Sequence, residues 1–131
     1  MTLAIAYWCV LIAAILPLVW SWIAKSSGEK FDNRDPREWL ARQHHPRSLR
    51  ANAAQQNAFE AFAPFAAGVV LAQLANVDPG WIASLSVVFV AARIAHGLLY
   101  LGNKATLRSL VWTLGFACVA GLLVLAALHA A

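Results

Sequence analysis

The chain has 131 residues, 61% of them hydrophobic and only 12% charged, with a formal net charge of +4. A soluble domain carries about 25% charged residues, so this composition excludes a water-solvated globule and describes a chain that dissolves largely in lipid. Most basic residues fall between Lys25 and Arg50, which points to a membrane-surface loop and away from nucleic acid as a partner.

The first apolar segment covers residues 3–24. The opening string MTLAIAYW has no basic stretch, and the apolar run outlasts the ~7–15 residues of a signal-peptide core. The segment is therefore expected to remain as the first membrane helix. Cys9 here and Cys118 in the last segment belong to no C-x-x-C pair and read as small buried hydrophobes. Residues 25–48 form the one substantial extramembrane connection, in which Pro36 and Arg37 either open a short helix through Leu40 or leave the loop mobile.

The second segment, residues 49–75, is the least apolar, with Asn52, Gln55, Gln56 and Asn57 in its first turns. Pro64 within it, like Pro17 in the first segment, is expected to kink or loosen its helix, which neighbouring helices tolerate in lipid. Asn76-Val77-Asp78-Pro79-Gly80 is a tight turn. A third segment covers residues 81–101, Gly102-Asn103-Lys104 opens a short link, and the fourth covers residues 107–129. Each approaches or exceeds the ~20 residues of a spanning helix. The expectation is an all-α integral membrane four-helix bundle, one domain over residues 1–131.

Orientation follows from basic residues near the helix ends. The first loop holds Lys25, Lys30, Arg34, Arg37, Arg42 and Arg47, the last link adds Lys104 and Arg108, and the turn between them has none. The long loop is thus expected in the cytoplasm and both termini on the opposite side. Trp8, Trp20, Trp22, Trp39, Trp81 and Trp112 lie mostly near segment boundaries, as interfacial anchors do.

Glu60, Arg93 and His96 stand inside stretches otherwise apolar enough to cross a membrane. A charge at membrane depth costs roughly 2.5–3.5 kcal/mol on insertion scales, so such groups face a bundle interior and find partners. Arg50, Asn57, Glu60 and Pro64 share one stripe of a helix, and Arg93, His96 and Tyr100 share another. The simplest neutralisation faces Glu60 toward Arg93. His96 and Tyr100 then lie one and two turns nearer the cytoplasm, where Arg108 and Ser109 begin the last helix. A polar cleft opening to the cytoplasm results; alternatively, the Glu–Arg pair merely fixes helix register.

Asn57-Ala-Phe-Glu60-Ala-Phe-Ala-Pro64-Phe65 reads N-x-x-E-x-x-x-P-F, and Arg93-Ile-Ala-His96-Gly-Leu-Leu-Tyr100-Leu-Gly102 reads R-x-x-H-x-x-x-Y-x-G, with Arg108-Ser109 following. In segment order, over nearly the full chain, this resembles the MAPEG family, the membrane-associated proteins in eicosanoid and glutathione metabolism. The short loops and the FDNRDPREWLAR stretch look most like a bacterial member, implying the inner membrane. The resemblance implies a homotrimer, with glutathione bound between protomers in the cytoplasmic cleft. It implies that Asn57, Glu60, His96 and Tyr100 contact the glutathione tripeptide, with Arg50 and Arg93 in the same binding set. Arg108 would stabilise the thiolate and Ser109 would donate a hydrogen bond. An apolar second substrate would arrive laterally from the lipid.

Two departures are plain, and one is a link between Tyr100 and Arg108 about one residue shorter than in eukaryotic relatives. Ala53-Ala54-Gln55-Gln56 occupies the turns where eukaryotic relatives carry further basic residues, so a related thiol or another anion fits as well as glutathione. Three functions follow: a thiol-dependent transferase or peroxidase, a lipid- or ligand-binding protein without catalysis, and a small proton-coupled transporter.

Overall fold

The computed structural model describes residues 2–130, and all of its regular structure is helical. Helix α1 runs Leu3–Ser26, α2 Pro36–Ala41, α3 Pro46–Leu74, α4 Pro79–Leu101 and α5 Ala105–His129. The four longer helices are each long and apolar enough to cross a membrane, as expected for an integral membrane protein. Helices α3 and α4 form a central hairpin, with α1 packed against both and α5 packed against both.

The boundaries have local causes. Helix α3 begins three residues before the expected start because Pro46 supplies a preset first turn. Helix α4 begins at Pro79 under a cap: the Asp78 carboxylate accepts from the amides of Gly80 at 2.9 Å and Trp81 at 3.3 Å. Both α3 and α4 stop in the same way. Asn76 and Asn103 adopt left-handed backbone, at φ 60° and 56°. The following amides of Val77 and Lys104 then reach back to the carbonyls of Ala72 and Leu99. This closure satisfies carbonyls that a helix end otherwise leaves bare.

Pro17 and Pro64 lie inside helices that run on without interruption. Pro17 is fully buried, so its missing amide faces protein and not lipid.

The core is built from close approach. Phe65 of α3 stacks on Phe89 of α4 with centroids 4.0 Å apart. Small residues line the contacts, among them Ala6, Ala13 and Ala24 on α1 and Ala51, Ala54 and Ala58 on α3. Such residues let membrane helices pack closely without help from water. The tightest contact sets the Trp20 indole of α1 against the bare backbone of Gly97 on α4. Cys9 and Cys118 are free thiols buried in this core.

Two tryptophans differ from expectation. Trp20 and Trp39 are buried, at 4% and 8% exposure, whereas Trp8, Trp22 and Trp81 are well exposed as anchors should be. Trp39 lies on α2, and its indole N–H donates to the Lys30 carbonyl at 2.8 Å. Its ring meets Phe31 edge-on, and Lys25 lies over Phe31. These contacts order the long loop and settle the open choice in favour of a short helix, one residue longer than expected.

Candidate functional site

Polar side chains converge where α3, α4 and the start of α5 meet. Arg93 is buried at 5% exposure, and its guanidinium donates to the Asn57 side-chain oxygen at 2.7 Å. Glu60, one turn further along α3, shares a cavity wall with Arg93 but forms no ion pair with it. The direct Glu60–Arg93 pairing expected from the spacing is thus corrected. The nearer Asn57 takes the guanidinium, while Glu60 lies on the exposed side of α3.

One turn beyond Arg93, His96 is 3% exposed, and its Nδ1 has no hydrogen-bond partner within the protein. Its ring meets Tyr100 edge-on with centroids 5.6 Å apart. The Arg108 guanidinium then lies 4.3 Å over the Tyr100 ring, a cation–π contact that fixes the charge in place. Asn57, His96, Tyr100, Arg108 and Ser109 line one open cleft of about 450 Å³, together with Trp112 and Thr113.

A second cavity of about 190 Å³ adjoins it, sharing Asn57 and Trp112 and adding Glu60 and Arg93. Its other walls are apolar, formed by Pro64, Phe89, Gly115 and Phe116 among others. Seven of the eight expected site residues therefore line two spaces that share Asn57 and Trp112 as wall residues.

Arg50 is the exception. Its Nε donates to the Leu101 carbonyl at 3.2 Å, so it ties α3 to the end of α4 and borders neither space. That bond also satisfies a carbonyl at the end of α4.

Trp112, Thr113, Phe89, Gly115 and Phe116 were not among the expected site residues. For Trp112 the signal was available: it lies one turn after Arg108 and so on the same helix face. Phe89 and Gly115 carry no chemical signature and could be placed only by packing. Among the described residues, no group of three His, Cys, Asp or Glu is arranged to hold a metal ion.

The arrangement can bind an anion. Two guanidinium groups and one carboxylate border the paired spaces, with hydroxyl, amide and imidazole groups beside them. A guanidinium beside a thiol favours its thiolate. Compared with known proteins, the chain matches no curated protein and no solved structure. A model of the MAPEG family matches residues 5–128. With that match across nearly the whole chain, in the order of the motifs on α3, α4 and α5, the protein belongs to the MAPEG family.

Proposed function

We propose that this protein is a membrane-bound transferase or peroxidase that uses glutathione, or a related low-molecular-weight thiol, against apolar electrophiles or lipid hydroperoxides. The observation that carries the proposal is Arg108 held over Tyr100 beside Ser109, on the wall of an open cleft. The guanidinium stabilises the sulfur as thiolate, and the Ser109 hydroxyl donates to it. Asn57, Glu60, His96 and Tyr100 hold the rest of the tripeptide, and the buried His96 Nδ1 gains a partner on binding. Arg93 supports this set by orienting Asn57. Arg50 contributes from outside the cleft by fixing the α3–α4 mouth.

In this reading the protein works as a homotrimer in the inner membrane of a bacterium. The long loop is cytoplasmic, and neighbouring protomers complete the thiol site along the exposed side of α3. Lipid surrounds the trimer and delivers the apolar substrate.

The test is calorimetric titration of glutathione into detergent-purified protein, with Arg108→Ala alongside. Saturable binding, weakened at least about tenfold in the variant, is expected from loss of a charge-assisted contact worth roughly 1.5–3 kcal/mol. Absence of binding at millimolar glutathione would overturn the glutathione assignment. A second reading, a binding protein without catalysis, draws on Ala53 and Gln56 standing where relatives carry charge. It predicts thiol retention without turnover of chlorodinitrobenzene.

A further inference from the structure

The link between α4 and α5 decides how Arg108 stands against Tyr100, because the two residues lie on either side of it. At the end of α4 the amides of Gly102, Asn103 and Lys104 bond back to the carbonyls of Leu98, Tyr100 and Leu99, at 2.9, 3.1 and 2.9 Å. The Leu101 carbonyl is left over. Among the described residues no backbone amide outside α4 reaches it, and Arg50 Nε of α3 donates to it instead, at 3.2 Å.

We infer that Arg50 is a positioning residue of this site: it anchors the α4–α5 link to α3 and so holds the Arg108 guanidinium where a bound thiol ionises. The inference rests on the thiol-transferase reading above. It adds a residue that borders neither space and acts on the sulfur through Leu101 and Arg108.

Three observations carry it. The first is the charge at the helix end. Bare carbonyls give a helix C-terminus a partial negative charge that a cation stabilises. Helix α4 has no basic residue in its own last turn, and Arg50 brings the cation from the neighbouring helix. A methionine there supplies neither the charge nor the N–H donor.

The second is the way the link is held. Tyr100 and Leu101 pack against the cluster of Leu16, Trp20, Ala54 and Ala58. Residues 102–107 are then exposed throughout, and the first turn of α5 has no side-chain cap. Leu101 is therefore the last anchored residue before Arg108, and the peptide plane after it sets the course of the link. The Arg50 bond fixes that plane.

The third is a matching tie beside it. Ser48, two residues before Arg50 on α3, is 1% exposed, and its hydroxyl donates to the Ala24 carbonyl in the last turn of α1 at 2.7 Å. One stretch of α3 thus secures the ends of two helices by the same chemistry. The Arg50 tie leads on to Arg108 and the Ser48 tie does not, which makes Ser48 the natural control.

Releasing the Leu101 carbonyl lets the link shift, and Arg108 with it. A guanidinium favours a thiolate only at close range. The rest of the ligand does not contact Arg50, so sulfur ionisation and ligand affinity should separate.

The experiment uses the full-length protein in nanodiscs and compares wild type, Arg50→Met, Arg50→Lys and Ser48→Ala. On each, the thiolate ultraviolet absorbance of bound glutathione is followed against pH. Affinity for S-methylglutathione, whose sulfur cannot ionise, and amide exchange along residues 102–108 are measured alongside. Arg50→Met is expected to raise the thiolate midpoint by at least about one pH unit, to leave S-methylglutathione affinity unchanged and to speed exchange at Lys104 and Arg108. Arg50→Lys keeps the charge and should show a smaller shift in the same direction. Ser48→Ala should loosen the end of α1 and leave the thiolate curve in place. An unchanged thiolate curve in Arg50→Met, or in Arg50→Lys where Arg50→Met does not fold, would overturn the inference. So would a loss of S-methylglutathione affinity with an unchanged thiolate curve, which would put Arg50 in direct contact with the ligand. In a protein that binds neither glutathione nor S-methylglutathione, faster exchange confined to residues 102–108 would uphold the hold of Arg50 on Arg108 and refute the thiol reading alone. Unchanged exchange in that protein would overturn both.

Discussion

Replacing Gly97 by alanine adds one methyl group at the tightest contact between α1 and α4. A Cβ there would come within 3.0 Å of three atoms of the Trp20 indole, a side chain only 4% exposed and without room to turn aside. Overpacking of this kind costs about 1–3 kcal/mol, and a rigid buried ring puts the cost near the upper end. Alanine recovers about 1 kcal/mol over glycine within a helix, leaving a net destabilisation of about 2 kcal/mol. The strain is relieved by moving α4 away from α1, which also moves His96, the next residue. Displacing a positioned group by about 1 Å can cost about 100-fold in rate, so under the proposed transferase function turnover should fall by more than stability alone explains. Unfolding in mixed micelles, followed by far-ultraviolet circular dichroism, measures the first effect. Trp20→Phe in the same background removes the offending ring atoms and should restore at least about 1 kcal/mol, read as coupling in a double-mutant cycle. A Gly97→Ala protein as stable as wild type, or strict additivity with Trp20→Phe, would refute this account of the α1–α4 contact.

Asn57→Leu should destabilise the fold by about 1.5–3 kcal/mol in the same unfolding assay, because it takes the hydrogen-bond acceptor from a buried guanidinium. Asn57→Asp, which keeps an acceptor, should be much milder. In the loop, the Arg34 guanidinium bonded to Asp32 holds that carboxyl below its ordinary value of 3.8. A depressed folded pKa means that the contact is intact above the ordinary value and is lost as pH falls through the folded one. A carboxyl-carbon NMR titration should therefore show Asp32 titrating below the usual range in wild type and returning to it in Arg34→Ala. Trp39→Phe keeps the ring beside Phe31 but removes the bond to the Lys30 carbonyl. It should cost about 1 kcal/mol, seen as faster amide exchange in the loop while the membrane helices stay unchanged.

The four spanning helices were legible because uninterrupted apolar length has no other use in a chain this sparsely charged. Their ends were less so. Nothing in the hydropathy of Pro46 to Ser48 distinguishes a first helical turn from a loop; the extra turn follows from proline geometry and from the Ser48 hydroxyl bonding to the Ala24 carbonyl at 2.7 Å. For the site, helical spacing assigned residues to faces but not to partners. Asn57 and Glu60 share a face, and choosing which one meets Arg93 needs the relative height of two helices. Arg50 lies on that same face and yet bonds to a backbone carbonyl, a partner that no side-chain pattern reveals. The apolar cavity was invisible for a related reason: Phe89, Gly115 and Phe116 look like any lipid-facing or core residues until they surround a space.

That Arg93 bonds to a neutral amide has a consequence for how the protein responds to its surroundings. Asn57 fixes the guanidinium without cancelling it, so Arg93 and Arg108 together outweigh Glu60 around the paired spaces. A surplus of positive charge bordered by low-dielectric walls concentrates anions. The protein should therefore respond to the mixture of anions around it and not to the thiol alone. Under the proposed function, chloride, phosphate and other small anions would compete with glutathione. Its apparent affinity, and the thermal midpoint measured without it, would follow the anion chosen for the buffer as much as any substitution in the chain.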